Sequence, residues 1–169
     1  KEYGVDAEVF PETALELISP YLTDAKRIKY YKEIDGVDSS YEIKFKKARL
    51  LYSVEFAHNG ELEDVEFIIK TRDIPNETSE RIIKSLNTKH PNFRIKKIQQ
   101  QYPNKNENPL PILKDAFQNL LRPYLNYEIV IGTKVAGEFV KYEVMYDAKG
   151  NFVSERKVIS SNYDHVLYQ

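Results

Sequence analysis

Apolar residues recur at every second position through most of the chain. Tyr41, Ile43 and Phe45 alternate with Glu42, Lys44 and Lys46. Leu50, Tyr52, Val54 and Phe56 share one side, with Ser53 and Glu55 opposite, and Val65, Phe67 and Ile69 alternate with Asp64 and Glu66. The pattern returns in Tyr127, Ile129 and Ile131 and in Val140, Tyr142, Val144 and Tyr146. A period of two with one polar side predicts antiparallel strands covered on one face only. Asn59-Gly60 predicts a two-residue hairpin turn, because both residue types tolerate positive φ. Lys149-Gly150 predicts another turn, with Val153 and Ile159 on the return strand.

Helical spacing appears in three places. Pro11 suits a first helical turn, where its missing N–H costs nothing. Thr13 and Glu16 have capping-box spacing, Leu15, Ile18 and Leu22 follow as an apolar stripe, and Pro20 ends the helix near Ser19. Pro75 opens a second helix with Ile82, Ile83 and Leu86 as its stripe and Pro91 beyond its end. Pro103 to Pro109 reads as a loop, and Ile112, Leu113, Ala116, Phe117, Leu120 and Leu121 then form a short amphipathic helix ending before Pro123.

The chain carries an internal repeat. Phe10-Pro11 matches Ile74-Pro75, Arg27-Ile28-Lys29 matches Arg94-Ile95-Lys96, Tyr41-Glu42-Ile43 matches Tyr127-Glu128-Ile129, and Tyr52, Val54 and Gly60 match Tyr142, Val144 and Gly150. The order is shared and the separation only grows, as insertions in a second copy would produce. The expected fold is α+β. Two tandem α-β-β-β-β units form one antiparallel sheet with helices packed on one face, and an extra short helix is inserted in the second unit. The units are residues 1–73 and 74–169, with the insertion near 103–126, in one continuous domain.

Composition narrows the chemistry. The 169 residues hold 25 basic and 26 acidic side chains, so net charge supplies no reason to expect nucleic acid as a partner. No apolar run approaches the ~20 residues of a membrane-spanning helix. Cysteine is absent, which excludes disulfides, Cys-held metals and thiol catalysis. His58, His90 and His165 lack the i, i+4 spacing common in metal sites and read as solvent-exposed turn residues. Tyr163-Asp164-His165 lies near the end of the chain, and adjacent residues rarely face one another. Asp35-Gly36-Val37-Asp38 and Asp147–Asn151 lack the ligand spacing of a calcium loop. Asn76-Glu77-Thr78 is formally a glycosylation sequon at a helix start. No cofactor is expected. The basic run Lys44, Lys46, Lys47 and Arg49 and the acidic run Glu61, Glu63, Asp64 and Glu66 are expected to pair across neighbouring strands.

The order of helix, strand and tyrosine-led strand, then "YSVEF" or "YEVMY", then a Gly-containing hairpin, resembles the PepSY-like proteins that share the fold of the β-lactamase inhibitor protein. The features that carry the resemblance are Pro11 and Pro75, the strands Tyr41–Phe45 and Tyr127–Ile131, and the hairpins at Asn59-Gly60 and Lys149-Gly150. It covers about residues 10 to 160. It implies an exported bacterial protein, periplasmic or at the cell surface, that binds and does not catalyse. A start at Lys1 without Met fits a signal peptide already removed. Inhibition of a β-lactamase does not carry over, because the inhibitor's disulfides have no counterpart here.

A protein or peptide partner is expected on the uncovered sheet face, which displays Lys29, Tyr31, Lys44, Glu55, Glu66, Glu128, Glu143 and Arg156. Tyr31 is the rigid aromatic of a type enriched at binding hot spots. The other reading is a small-molecule site or enzyme with its pocket between sheet and helices.

Overall fold

The computed structural model describes residues 1–158. Ile159 and the Tyr163-Asp164-His165 segment lie outside the described residues. Nine strands follow in chain order: β1 (Glu2–Val5), β2 (Lys26–Asp35), β3 (Asp38–Lys47), β4 (Leu50–Ala57), β5 (Leu62–Ile69), β6 (Arg94–Pro103), β7 (Asn126–Val135), β8 (Glu138–Asp147) and β9 (Phe152–Lys157). They form one antiparallel sheet in that same order. Three helices accompany them: α1 (Glu12–Ile18), α2 (Asn76–Lys89) and α3 (Leu110–Phe117). The α+β class and the repeated pattern of a helix followed by four strands are as the sequence implies.

By contact the chain divides into two compact units. One holds residues 1–67 and 102–120, the other 68–101 and, among the described residues, 121–158. The helix α3 follows β6, the first strand of the second copy, yet it belongs to the first unit. Its Phe117 ring lies 4.3 Å from Tyr21 and 4.9 Å from Tyr52. Core positions in this unit are Phe10, Ala14, Ile18, Ile43, Phe45, Tyr52, Val54, Phe56, Val65 and Phe67. In the second unit Ile82 and Leu86 of α2 are buried with Ile98, Tyr127, Ile129, Ile131, Val144 and Tyr146. Tyr146 donates its hydroxyl to Ser85 Oγ on α2 at 2.9 Å, which satisfies a polar group that would otherwise be buried bare.

The copies agree in detail. Ile43 pairs with Val54 and, at the matching place, Ile129 pairs with Val144. Register shifts recur between Lys26 and Lys29 and between Ile95 and Lys97, and again between Glu55 and Phe56 and between Met145 and Tyr146. Residues 57–61 and 147–151 make the same hairpin: Ala57 N–H to Glu61 O and Gly60 N–H to Ala57 O in one, Asp147 N–H to Asn151 O and Gly150 N–H to Asp147 O in the other.

Several expectations are corrected here. The Asn59-Gly60 turn has three loop residues, with only the glycine at positive φ (89°), as in a type I turn closed by a glycine bulge. Thr13 makes no capping bond at α1. It packs instead under the Gly60 hairpin, where an added Cβ would strike its Oγ1. Thr78 does the corresponding work in the second copy. Its carbonyl lies 2.8 Å from where a Gly150 Cβ would stand, and its hydroxyl donates to Ala148 O at 3.1 Å. Ile83 is half-exposed, and Thr78 takes the buried place on the α2 stripe. Helix α3 stops at Phe117, before Pro123 can act. Asn119 at φ 51° ends it, with Leu120 N–H bonded to Asp115 O and Asn119 N–H to Ala116 O.

The growth in separation between copies also has a local cause. The β3–β4 hairpin closes at the Lys47–Leu50 pair, with Ala48 and Arg49 both at positive φ. The β7–β8 hairpin continues past the equivalent place by two further pairs, Lys134–Phe139 and Val135–Glu138, before turning at Ala136-Gly137.

Candidate functional site

The sheet face away from the helices carries the polar half of each alternating strand. In the first unit Lys29 pairs with Lys44, Lys44 with Ser53, and Ser53 with Glu66, so these form one row across the strands. Tyr31, Glu42, Glu55 and Asp64 form the next. Pairing thus brings Lys29, Tyr31, Lys44, Glu55 and Glu66 together. The face is drier than alternation alone implies: Lys44, Ser53, Asp64 and Glu66 are all buried.

Lys44 organises the centre. Its Nζ is 3.2 Å from Glu2 Oε1, 3.4 Å from Glu42 Oε1, and 5.0 Å from the Tyr31 ring centroid. Ser53 Oγ donates to Glu42 as well. The short strand β1, absent from the alternation pattern, delivers Glu2 by pairing with β2. Burial pushes the Glu2 carboxyl up, against the pull of Lys44. Burial also raises the Tyr31 phenol and the Glu63 carboxyl, the latter helped by Glu33. Carboxylate oxygens of Glu33, Glu42 and Glu55 come within 4.8 Å of one another and could hold a cation by distance alone. Lys44 already supplies positive charge to this group.

The expected pairing of the basic run with the acidic run takes another form. Strand β4 stands between β3 and β5, so the runs are not on neighbouring strands. Lys44 meets Glu2 and Glu42, and Lys47 meets Asp24.

The second unit solves the same problem differently. Glu128, at the place of Glu42, lies diagonally across from Glu143 on β8. Arg156 on β9 grips Glu143 with two bonds, Nε to Oε1 at 3.0 Å and Nη2 to Oε2 at 3.1 Å. Pairing therefore brings Glu128, Glu143 and Arg156 together. Burial first and the Glu143 charge second push the Glu128 carboxyl up to about 7, while Lys97 and Arg156 pull it down. Two buried carboxyls in contact favour holding a proton over holding two charges. The side-chain carbonyl of Gln99, opposite Glu128 on β6, is buried without a hydrogen-bond partner.

The histidine reading holds for His58, which is exposed, and fails for His90. The His90 ring stacks on Tyr142 at 4.5 Å, and its Nε2 is 2.5 Å from Glu155 Oε1. It closes α2 against β9. No spacing rule reveals this, because the partners come from distant strands.

No family model matches the chain, and no curated protein matches it in sequence. Solved structures do match it. A DUF2874 family protein from Bacteroides ovatus is 12% identical over 88% of each chain, with a TM-score of 0.62. A BLIP-like protein from Bacteroides fragilis is 14% identical over 90% of this chain and 89% of its own, with a TM-score of 0.58. A protein from Bacteroides eggerthii, named as a candidate periplasmic protein, is 10% identical over 88% of this chain and 89% of its own, with a TM-score of 0.57. No helix among the described residues is long and apolar enough to cross a membrane. At such identities the likeness concerns architecture: the chain has the fold of these BLIP-like and DUF2874 proteins, as its resemblance to PepSY-like proteins implies.

Proposed function

We propose that the protein is a non-enzymatic binding protein, exported to the bacterial periplasm or cell surface, that receives a protein or peptide on its polar sheet face. The observation that carries this reading is the fixed state of the charged groups there. Lys44 is held between two carboxylates and against the Tyr31 ring, and Glu143 is gripped twice by Arg156. A surface whose side chains are already ordered has less entropy to lose on binding. Charges of both signs on such a face set register and encounter rate. Strands fix Lys29, Tyr31, Lys44, Glu55 and Glu66 in one unit and Glu128, Glu143 and Arg156 in the other. The periplasmic location is supported by the naming of the Bacteroides eggerthii structure, whose fold is similar.

The test starts from a partner captured from the source bacterium and purified. Its affinity is measured for the wild-type chain, for Tyr31→Ala and Glu55→Lys, and for Lys84→Glu on the outer side of α2. The sheet-face variants are expected to bind at least about tenfold more weakly, the loss of roughly one well-made contact. Lys84→Glu is expected to bind as wild type. Unchanged affinity in both face variants with loss in Lys84→Glu overturns the proposal.

A further inference from the structure

The β7–β8 hairpin carries two residue pairs more than the β3–β4 hairpin, and one of them, Lys134–Phe139, helps to line a cavity. That cavity, beside the start of β6, has a volume of about 220 Å³ and is lined by Pro91, Asn92, Arg94, Gly132, Thr133, Lys134 and Phe139. Gly132 is its floor. A Cβ there would come within 2.9 Å of Lys96 Cε and 3.0 Å of Phe139 Cε1, so any other residue would push those groups aside. The bare glycine lets the Phe139 ring lie over the strand, with Lys96 Nζ 5.5 Å from the ring centroid. Gly132 pairs with Arg94 on one side and Lys141 on the other, and Lys134 pairs with Phe139.

The charge here is one-sided. No carboxylate lines the cavity. The acidic neighbour in sequence, Glu138, is exposed at the hairpin end. Among the described residues, neither Arg94 nor Lys134 has an ion-pair partner, and Lys96 meets only the Phe139 ring. This contrasts with Lys44 and Arg156 on the polar face, which both meet carboxylates. A walled recess with unneutralised cations at its rim attracts anions, since the low-dielectric walls reduce screening. An arginine fork and an ammonium group are the donors that carboxylates and phosphates accept best.

We propose that this cavity is a binding site for an oxyanion group, a carboxylate or a phosphate, seated on Gly132 between Arg94 and Lys134 with Phe139 as its apolar wall. The site is separate from the central rows of the sheet face and does not depend on the binding function proposed for them. Its volume admits such a group together with water or the atoms that carry it. The group can belong to a free small anion or to an acidic side chain of a peptide.

The test is an NMR titration of the uniformly labelled full chain at constant ionic strength, with inorganic phosphate in one arm and a short Glu-containing peptide in the other. Saturable shifts centred on the amides of Asn92, Gly132 and Thr133 are expected in at least one arm. A saturating response to phosphate alone identifies a small-anion site, and one to the peptide identifies a side-chain site. Arg94→Gln with Lys134→Gln, both exposed positions, should weaken binding by at least about tenfold while the remaining spectrum stays as in wild type. Phe139→Ala is a second variant, expected to weaken the peptide more than phosphate. Linear shifts in both arms, or equal saturation in the Arg94/Lys134 double variant, overturn the proposal.

Discussion

The β3–β4 and β7–β8 hairpins occupy the same place in the two copies and both turn on two residues at positive φ, but they differ in length. The first closes at the Lys47–Leu50 pair and turns on Ala48 and Arg49, both at positive φ. The second adds two residue pairs, turns on Ala136-Gly137, and gains the Gly132 cavity. The polar rows differ in their charge partners. Glu42 in the first copy is answered by Lys44, and its equivalent Glu128 in the second sits against another carboxyl. Duplicated backbones therefore share pairing and bulges, while charge compensation and hairpin length vary independently.

The helix cover gives the largest expected effect. The short α1 leaves the Phe45 and Tyr52 rings to be covered by α3, whereas the longer α2 covers the second copy. Phe117→Ala should cost about 3 kcal/mol in urea unfolding, comparable to Leu86→Ala. A cost below about 1 kcal/mol would show that α3 is not structural cover for the first unit.

The shared glycine hairpins come next. Both replacements meet an unfavourable positive φ, but Gly150→Ala also meets a backbone carbonyl at 2.8 Å, whereas Gly60→Ala meets chiefly the Thr13 side chain, which can turn away. We expect about 3 kcal/mol for the first and roughly 1–2 kcal/mol for the second, from unfolding curves. Equal costs would mean that helix and hairpin yield equally in both copies.

The carboxyl pair gives a pH effect of definite sign. Glu128 holds its proton more tightly folded than unfolded, so its contribution is full below its ordinary value of 4.5 and fades as pH rises towards 7. Glu128→Gln should flatten the stability–pH curve between pH 5 and 8 by about 2 kcal/mol, with the variant gaining on wild type at the alkaline end. Glu42→Gln, whose partner is a lysine, should leave that slope in place. Thermal melts across this range read both.

The tight turn gives the smallest effect. Replacing Ala48-Arg49 with Asn-Gly supplies residues suited to positive φ and should stabilise by about 1 kcal/mol in chemical denaturation. The same change at Ala136-Gly137 should gain less, since a glycine is already there.

Much of this architecture was readable because alternation and turn chemistry are local. Tyr41–Phe45, Tyr127–Ile131, Pro11, Pro75 and both glycine hairpins announce themselves within a few residues. Strand β1 does not, because Glu2–Val5 has no alternation and is a strand only by pairing with β2. The polar face was readable as a face: strand pairing places each expected residue with others of its set. Its dryness was not, since alternation states a side chain's direction and not how closely its neighbours crowd it. His90 was misread for the same reason, its ring being covered by Tyr142 and Glu155 from strands far along the chain.

Strand order equal to chain order has a kinetic consequence. From β2 to β5 and from β7 to β9 each strand pairs with the next across a short turn, so these hairpins can form early with little loop-closure entropy to overcome. The seat of α3 on Tyr21, Phe45 and Tyr52 is different, because it joins segments that the chain visits far apart. That contact should close late, after the hairpins it covers are in place. Loss of Phe117 would then speed unfolding and leave the folding rate nearly unchanged, making the inserted helix a latch on the lifetime of the folded state.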